Sequence, residues 1–381
     1  MIDIFSNVIM KKVIIIGGGL AGLISAVMLS KKSGFEVLLV DKNDTFLNLI
    51  RLHLTFKEPI ENFQKKFLEL SKKFHFRFLQ KEVNITPENL VKWEKDSRIE
   101  ELNESFDYLV LSTGAKQRSL DSGITVSSDS RILGLNDFIT QKWKDSAYDI
   151  LSASDISFVG GGASSIQFLF ELFTFLDKYK SKPKINFFTM EERLLSNLPK
   201  IFHDYTLSKF KNKNTKFFSK QKIESTTRDE IRVYSLIDSK TKDYPSDITF
   251  LFLGVTPSPF KILTNEYGQV KQDDTIFKNI FAAGDCSTFI SNGDNSMSAQ
   301  IAVRKARIIT RNIFNLVDKQ KLLEFNYKEL GYFISMGDLD GIGWMLNPNN
   351  VLFGPGAFAV KELIEKQFEL FVTGVDTYID F

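Results

Sequence analysis

Cysteine is almost missing from this 381-residue chain, which has one, Cys286. A single thiol excludes an internal disulfide framework, a CxxC redox pair and a cysteine-built zinc site. Histidine is nearly as rare: His53, His75 and His203 are scattered and show no ligand spacing, so no metal site is expected. Excess charge is missing too. The 49 Lys and Arg residues against 47 Asp and Glu leave a net charge of +2, which removes the field a nucleic-acid partner needs. No apolar run reads as a membrane span. The longest stretch, 156–176, is broken by Gly160–Gly162, Gln167 and Glu171 and reads as a strand, a turn and a helix. The first ten residues hold Asp3 and no basic residue; they do not read as a signal peptide, and a protein that is cytoplasmic, either free or peripheral at the membrane, is expected.

What remains is ordinary for a soluble globular chain, 43% hydrophobic and 25% charged, and long enough for two or three domains. Phenylalanine is abundant at 36 residues, read here as core filler in place of Leu or Val rather than as an aromatic binding surface.

The chain is organised around Lys12–Gly22, KVIIIGGGLAG. Four apolar residues, Val13 to Ile16, run into a glycine turn, and Leu20–Leu29 then carries apolar residues at helical spacing. Gly17, Gly19 and Gly22 fit G-x-G-x-x-G in strand–turn–helix context. The first glycine allows the sharp turn, the second lets a pyrophosphate approach the backbone, and the third lets helix and strand pack closely. Free N–H groups and the helix dipole then hold the phosphates. A second strand, Glu36–Val40, ends in Asp41, 24 residues after Gly17, near the roughly 20-residue spacing of a ribose-binding carboxylate.

Further along, Thr45–Arg51 reads as an irregular apolar piece and Pro59–Phe74 as an amphipathic helix. Phe76–Val91 reads as strands broken at Pro87, Val91–Ser105 as a small hairpin, and Asp107–Ser112 as a buried strand closed by Thr113–Gly114. The strand–glycine–helix unit returns at Ile156–Val159, Gly160–Gly162 and a helix from Ser164 to about Tyr179. Lys184–Phe188, Phe217–Phe218, Ile231–Ile237 and Ile248–Leu253 are expected to complete a second sheet. Phe277–Ala283 is a strand ending in Gly284–Asp285, and Met297–Leu316 one long helix. The tail offers a β-like stretch, Gly331–Leu346, a turn, Asn347–Gly356, and a helix, Ala357–Phe371. The expected fold is therefore α/β: two Rossmann-like dinucleotide-binding domains, one inserted in the other, with a small α+β C-terminal region. Residues 1–120 and 270–320 form the first, 121–269 the second, and 321–381 the tail.

In this order the pieces resemble the two-dinucleotide-binding-domain flavoproteins (pyridine nucleotide-disulfide oxidoreductase-like), among them type II NADH:quinone dehydrogenases and apoptosis-inducing-factor-like quinone reductases. The matching motifs are Gly17-x-Gly19-x-x-Gly22 with Asp41, Leu111-Ser-Thr113-Gly114-Ala, Gly160-Gly-Gly162, Gly254-Val-Thr-Pro257 and Ile280-Phe-Ala-Ala-Gly284-Asp285. The resemblance implies FAD on Gly17, Gly19, Gly22 and Asp41, with Asp285 accepting hydrogen bonds from the ribityl hydroxyls beside Gly284, Thr113 and Gly114. Leu20, Ala21, Lys42, Arg51 and Val83 complete the set expected around FAD. Ala299-Gln300 resembles the family's A-Q near flavin and quinone, and Arg51-x-His53 an R-x-H of related bacterial members. Gln300, Gln167 and His53 are the catalytic candidates.

The second unit departs from the family. Its third glycine is Ser165, the acid expected further on is Gln167, and the ribose-binding acid aligns with Thr189, although Glu191 and Glu192 follow closely. Gly160, Gly162, Ala163, Ser164 and Glu191 are the candidates for NAD(P)H, the expected co-substrate. The implied activity is FAD-dependent: hydride from NAD(P)H to the flavin, then reduction of a quinone or similar small acceptor. The alternative is a flavoprotein with a degenerate nicotinamide site, acting directly on a small molecule or as a non-catalytic redox partner. Branches that need a cysteine pair are excluded, and Cys286 reads as a small buried residue. The tail helix sets Phe358, Leu363, Ile364, Phe368 and Phe371 on one side, with a polar face that is not basic. It is expected to pack on the body or on a second subunit of a homodimer rather than on a membrane surface.

Overall fold

The computed structural model describes residues 10–118 and 123–378, so the amino-terminal stretch screened for a targeting signal lies almost wholly outside the described residues. Lys11–Ile16 forms an interior strand of an eight-stranded sheet. It pairs in parallel with Phe35–Asp41 on one side and Tyr108–Leu111 on the other. Arg77–Gln80 extends the sheet beyond Phe35–Asp41, and Thr275–Ala282 lies beyond Tyr108–Leu111. Strands this apolar must be covered on both faces. The helices Leu20–Lys31 and Ala299–Val317 cover one face through Ile24, Val27, Ile301 and Ile309. Trp93, Phe106 and Phe277 line the other.

The chain leaves this sheet through Ala115–Gln117 and returns through Val255–Pro257, and the two crossings pair with each other. By Ile262 it is back in the first sheet. Between the crossings lies a second, five-stranded all-parallel sheet, in the order Ile132–Gly134, Ile248–Leu251, Asp155–Val159, Lys184–Phe188, Thr215–Phe218. Helix Ala163–Lys178 packs on it through Phe168, Leu169 and Leu172. The phenylalanines are largely core: Phe138, Phe158, Phe168, Phe187 and Phe250 are fully buried and in ring contact. Residues 331–353 form three antiparallel strands, and helix Gly354–Thr373 closes the chain.

Several local expectations differ from the structure for identifiable reasons. Pro59–Phe74 is not one helix. Ile60–Phe63 is a 3-10 turn, Gln64–Lys66 is a strand, and only Phe67–Phe74 is α-helical. Antiparallel pairing with Thr45–Leu47, itself read as irregular, takes the middle of the segment. The residues after it, Leu49–Phe56, form a 3-10 helix. Pro87 starts a helix rather than breaking a strand: Thr86 Oγ1 accepts from Asn89 N–H at 3.1 Å and Pro87 fills the first turn of Pro87–Asp96, where its missing N–H costs nothing. The expected hairpin shrinks to Arg98–Ile99 against Glu104–Ser105. Glu230–Ser235 belongs not to the parallel sheet but to a separate four-stranded sheet, where both its neighbours are antiparallel to it. That sheet lays Ile223, Ile231 and Val233 over Val159, Phe188 and Leu251. Asn347–Phe353 is an edge strand rather than a turn; the reversal falls at Leu346, with φ 65°, and an edge tolerates Pro348.

Candidate active site

Three segments converge at the carboxyl end of the first sheet. Gly17 adopts φ 100°, and a Cβ there would lie 2.4 Å from the Ser112 carbonyl oxygen. At Gly22 a Cβ would stand 1.8 Å from the Gly17 oxygen, so helix and strand touch backbone to backbone. Ser112 Oγ donates to the Gly17 carbonyl at 2.8 Å. Phe67 wedges against the turn: a Cβ on Gly18 would meet its Cζ at 2.3 Å. At Gly19, by contrast, a Cβ would meet nothing within 4 Å, and no side chain among the described residues caps the helix that Leu20 and Ala21 begin. The turn is packed from below and open above, with unclaimed helix N–H groups facing the opening. That is the form of a phosphate cradle.

Asp41 sits at this opening. Its Oδ2 accepts from Gly18 N–H at 2.6 Å and its Oδ1 from Asn43 N–H at 2.8 Å. Lys42 is exposed beside it, its carbonyl accepting from Gln80 Nε2 at 3.1 Å. Val83 packs on the cluster that holds Ile16 and Val40. From the far end of the chain, Gly284 brings the next turn against the helix: a Cβ on it would lie 3.0 Å from Ala21 Cβ. Asp285 follows. Burial pushes its carboxyl up to about 6, partly opposed by the Lys305 ammonium. Neither a side chain nor a backbone N–H among the described residues acts on it as a donor. A half-buried carboxylate without a donor, beside an uncapped helix, fits a polyol or ribose with phosphates, so the residues suit FAD. Thr113 and Gly114 close the third side, tied to the crossing by Thr113 Oγ1 to the Ser258 carbonyl and by Ser258 N–H to the Gly114 carbonyl at 3.0 Å. Cys286 is buried beneath, its thiol pushed up by burial, as a small core residue should be.

The second turn repeats the first. Gly160 has φ 107°, the Gly162 cap has φ −82° and ψ 171° against −64° and −171° at Gly19, and a Cβ on Gly162 would meet nothing within 4 Å. Helix Ala163–Lys178, with Ala163 and Ser164 in its first turn, is likewise uncapped by a side chain. Ser165, in place of the third glycine, is buried with its hydroxyl unpartnered. Thr189 is buried against Gly161 and hydrogen-bonds the Glu191 carboxylate, so an acid reaches the strand end after all. Arg193 does not face the turn: it donates to the Leu198 and Ser196 carbonyls at 2.8 and 2.7 Å.

The remaining candidates lie elsewhere. His53 and Gln167 do meet, Nε2 to Nε2 at 3.3 Å, and both reach Ser335 Oγ, at 3.2 and 3.1 Å. His53 is fully enclosed, and burial plus Lys361, Lys57 and Arg51 hold it well below its usual value, so it is neutral. One turn further along each helix, Lys57 bonds Glu171 and Asp338 at 3.0 and 2.8 Å. Arg51 is engaged by the tail helix, through Glu362 and Glu365 at 3.5 Å. Gln300 lies at a different opening, a cavity of about 200 Å³ between helix Ala299–Val317 and the tail. There its Oε1 accepts from Tyr327 Oη at 3.0 Å. Sequence reasoning missed Ser112, Ser335, Tyr327 and Lys305. Only Lys305 had a visible signal: it interrupts the apolar row Ile301, Ile309, Ile313 of an otherwise amphipathic helix.

Two nucleotide-type turns in sheets that share one crossing, the first joined by a distant carboxylate, fit the class of proteins that bring two dinucleotides together. Comparison with known proteins agrees. Residues 11–306 match the family model of the pyridine nucleotide-disulphide oxidoreductases, and the chain belongs to that family; it is an FAD-dependent NAD(P)H oxidoreductase. It is 24% identical to the type II NADH:quinone oxidoreductase of Staphylococcus aureus, an alignment covering 96% of each chain. NDH2 from Plasmodium falciparum in complex with NADH has the same fold, with a TM-score of 0.75, 14% identity and coverage of 95% of this chain and 97% of that one. The sulfide:quinone oxidoreductase of Aquifex aeolicus matches with a TM-score of 0.76, 17% identity and coverage of 96% and 92%.

Proposed function

We propose that the protein oxidises NADH through FAD and passes the electrons to a quinone-type small molecule. The observation that carries this is the pair of open glycine turns, one facing the donor-free Asp285 carboxylate. FAD supplies hydride acceptance from nicotinamide and release of electrons to the acceptor. The chain's own residues bind and orient. Helix N–H groups at Leu20 and Ala21 take the FAD phosphates, and Asp41 and Asp285 take hydroxyls. The turn at Gly160–Gly162 takes the NADH phosphates, with Glu191 on the adenosine ribose. Preference for NADH over NADPH is supported by Glu191 at the strand end and by Arg193, whose guanidinium is spent on loop carbonyls. The cavity at Gln300 is the place we assign to the acceptor. We assign 1–120 and 270–320 to FAD and 121–269 to NADH. Among the described residues no helix is long and apolar enough to cross a membrane. Exposed Leu346, Leu352, Phe353 and Leu363 in the tail are the surface through which we infer contact with a membrane that carries the acceptor. Steady-state oxidation of NADH and NADPH with a panel of quinones tests the assignment. NADH turnover that needs a quinone supports it, and no turnover with either nucleotide rejects it.

A further inference from the structure

Lys305 lies within the apolar face of helix Ala299–Val317, between Ile301 and Ile309, and is 1% exposed. Its ammonium donates one hydrogen bond, to the Ser287 carbonyl at 2.7 Å, and stands 5.3 Å from the centre of the Phe289 ring. A buried lysine with a single acceptor is costly and needs compensation by an opposite charge. Among the described residues the one full opposite charge that acts on it is Asp285, two residues before its acceptor; Cys286 is the other titratable group that does. Lys305 is in turn, among the described residues, the one charged group that acts on the Asp285 carboxylate. Ser287 also ties back to Gly284, Oγ to carbonyl at 2.8 Å, so the lysine holds the turn that carries Asp285.

We propose that Lys305 is a positioning residue of the FAD site, acting through Asp285: its charge, set behind the turn, keeps the carboxylate ionised and ready to accept hydrogen bonds from the cofactor. This rests on the reading that Asp285 faces bound FAD. The cost of burying the cation is offset by a carboxylate that would otherwise take up a proton in the same enclosure. Burial pushes both groups toward neutrality, Asp285 up to about 6 and Lys305 down to about 8, and the charge of each opposes the shift of the other.

The test is FAD titration of flavin-stripped protein, followed by flavin fluorescence, from about pH 8.5 to about pH 6.5. The wild type should change by less than about twofold. Lys305→Met and Lys305→Gln should approach the wild type at the alkaline end and bind about tenfold more weakly at the acid end. Glutamine can still donate to the Ser287 carbonyl, so it separates the charge from the tether. Asp285→Asn should be weak and pH-independent, and adding Lys305→Met to it should change little. The proposal is overturned if Lys305→Gln binds like the wild type, if either Lys305 variant weakens binding equally at every pH, or if Lys305→Met weakens Asp285→Asn further by the same factor. Asp285→Asn that binds FAD like the wild type would instead reject the reading on which the proposal rests.

Discussion

Gly19 and Gly22 are the same residue type three positions apart, yet they carry different loads. Gly22 serves packing, since a methyl there meets the Gly17 carbonyl; Gly22→Ala should cost about 3 kcal/mol or fail to fold. Gly19 serves access, because its missing side chain leaves open space. Gly19→Ala should keep stability within about 0.5 kcal/mol of the wild type and weaken FAD binding at least about tenfold. Denaturant melts paired with flavin titration read both numbers. His53 yields a pH prediction. Its folded value lies well below the ordinary 6.5, so below about pH 6.5 the unfolded chain binds a proton that the native state refuses. That contribution is fully present above pH 6.5 and is lost as pH falls. Unfolding free energies of the wild type from urea melts should therefore drop on acidification relative to His53→Gln, by no more than about 1.4 kcal/mol per pH unit. Parallel curves would show that the imidazole is protonated in the folded protein.

At the scale of elements, what was legible followed from hydrophobic runs ending in glycine. Lys11–Ile16, Asp155–Val159 and Thr275–Ala282 are strands that run buried into turns with positive φ at Gly17, Gly160 and Gly284, and both features are written locally. The Gln64–Lys66 strand and the Asn347–Phe353 edge were not, because each exists through pairing with another strand rather than through an apolar pattern of its own. The candidate site divides in the same way. Gly17, Asp41 and Asp285 were readable from motifs, whereas the meeting of His53 and Gln167 with Ser335 depends on how the tail docks on both sheets. The second glycine turn carries its own prediction. Ser165 buries a hydroxyl without a partner, so Ser165→Ala should raise stability by about 1 kcal/mol in a thermal melt. A loss of that size would mean the hydroxyl has a partner in solution.

For the whole molecule, the sheets, the crossing pair and the tail form one frame. The His53–Gln167–Ser335 contact and the Lys57–Glu171–Asp338 ion pairs join the 3-10 segment of the first part, the helix of the second and the C-terminal strands. The tail helix buries Phe368 and Phe371 in the core of the first part, as expected for packing on the body. A frame of this kind suits two nucleotides held at the proposed turns without a thiol relay. Cys286→Ala should accordingly leave reduction of the flavin by NADH within about twofold of the wild type in stopped-flow absorbance, and loss of reduction would return the thiol to the chemistry. The central claim is that the Gly17–Gly22 turn and the distant Asp285 close on one FAD, which NADH reduces. Anaerobic mixing of the purified, flavin-loaded protein with NADH tests it most directly: the account predicts one flavin per chain and full bleaching of its absorbance, while a colourless protein that takes up no FAD, or a yellow one that NADH leaves unchanged, would contradict it.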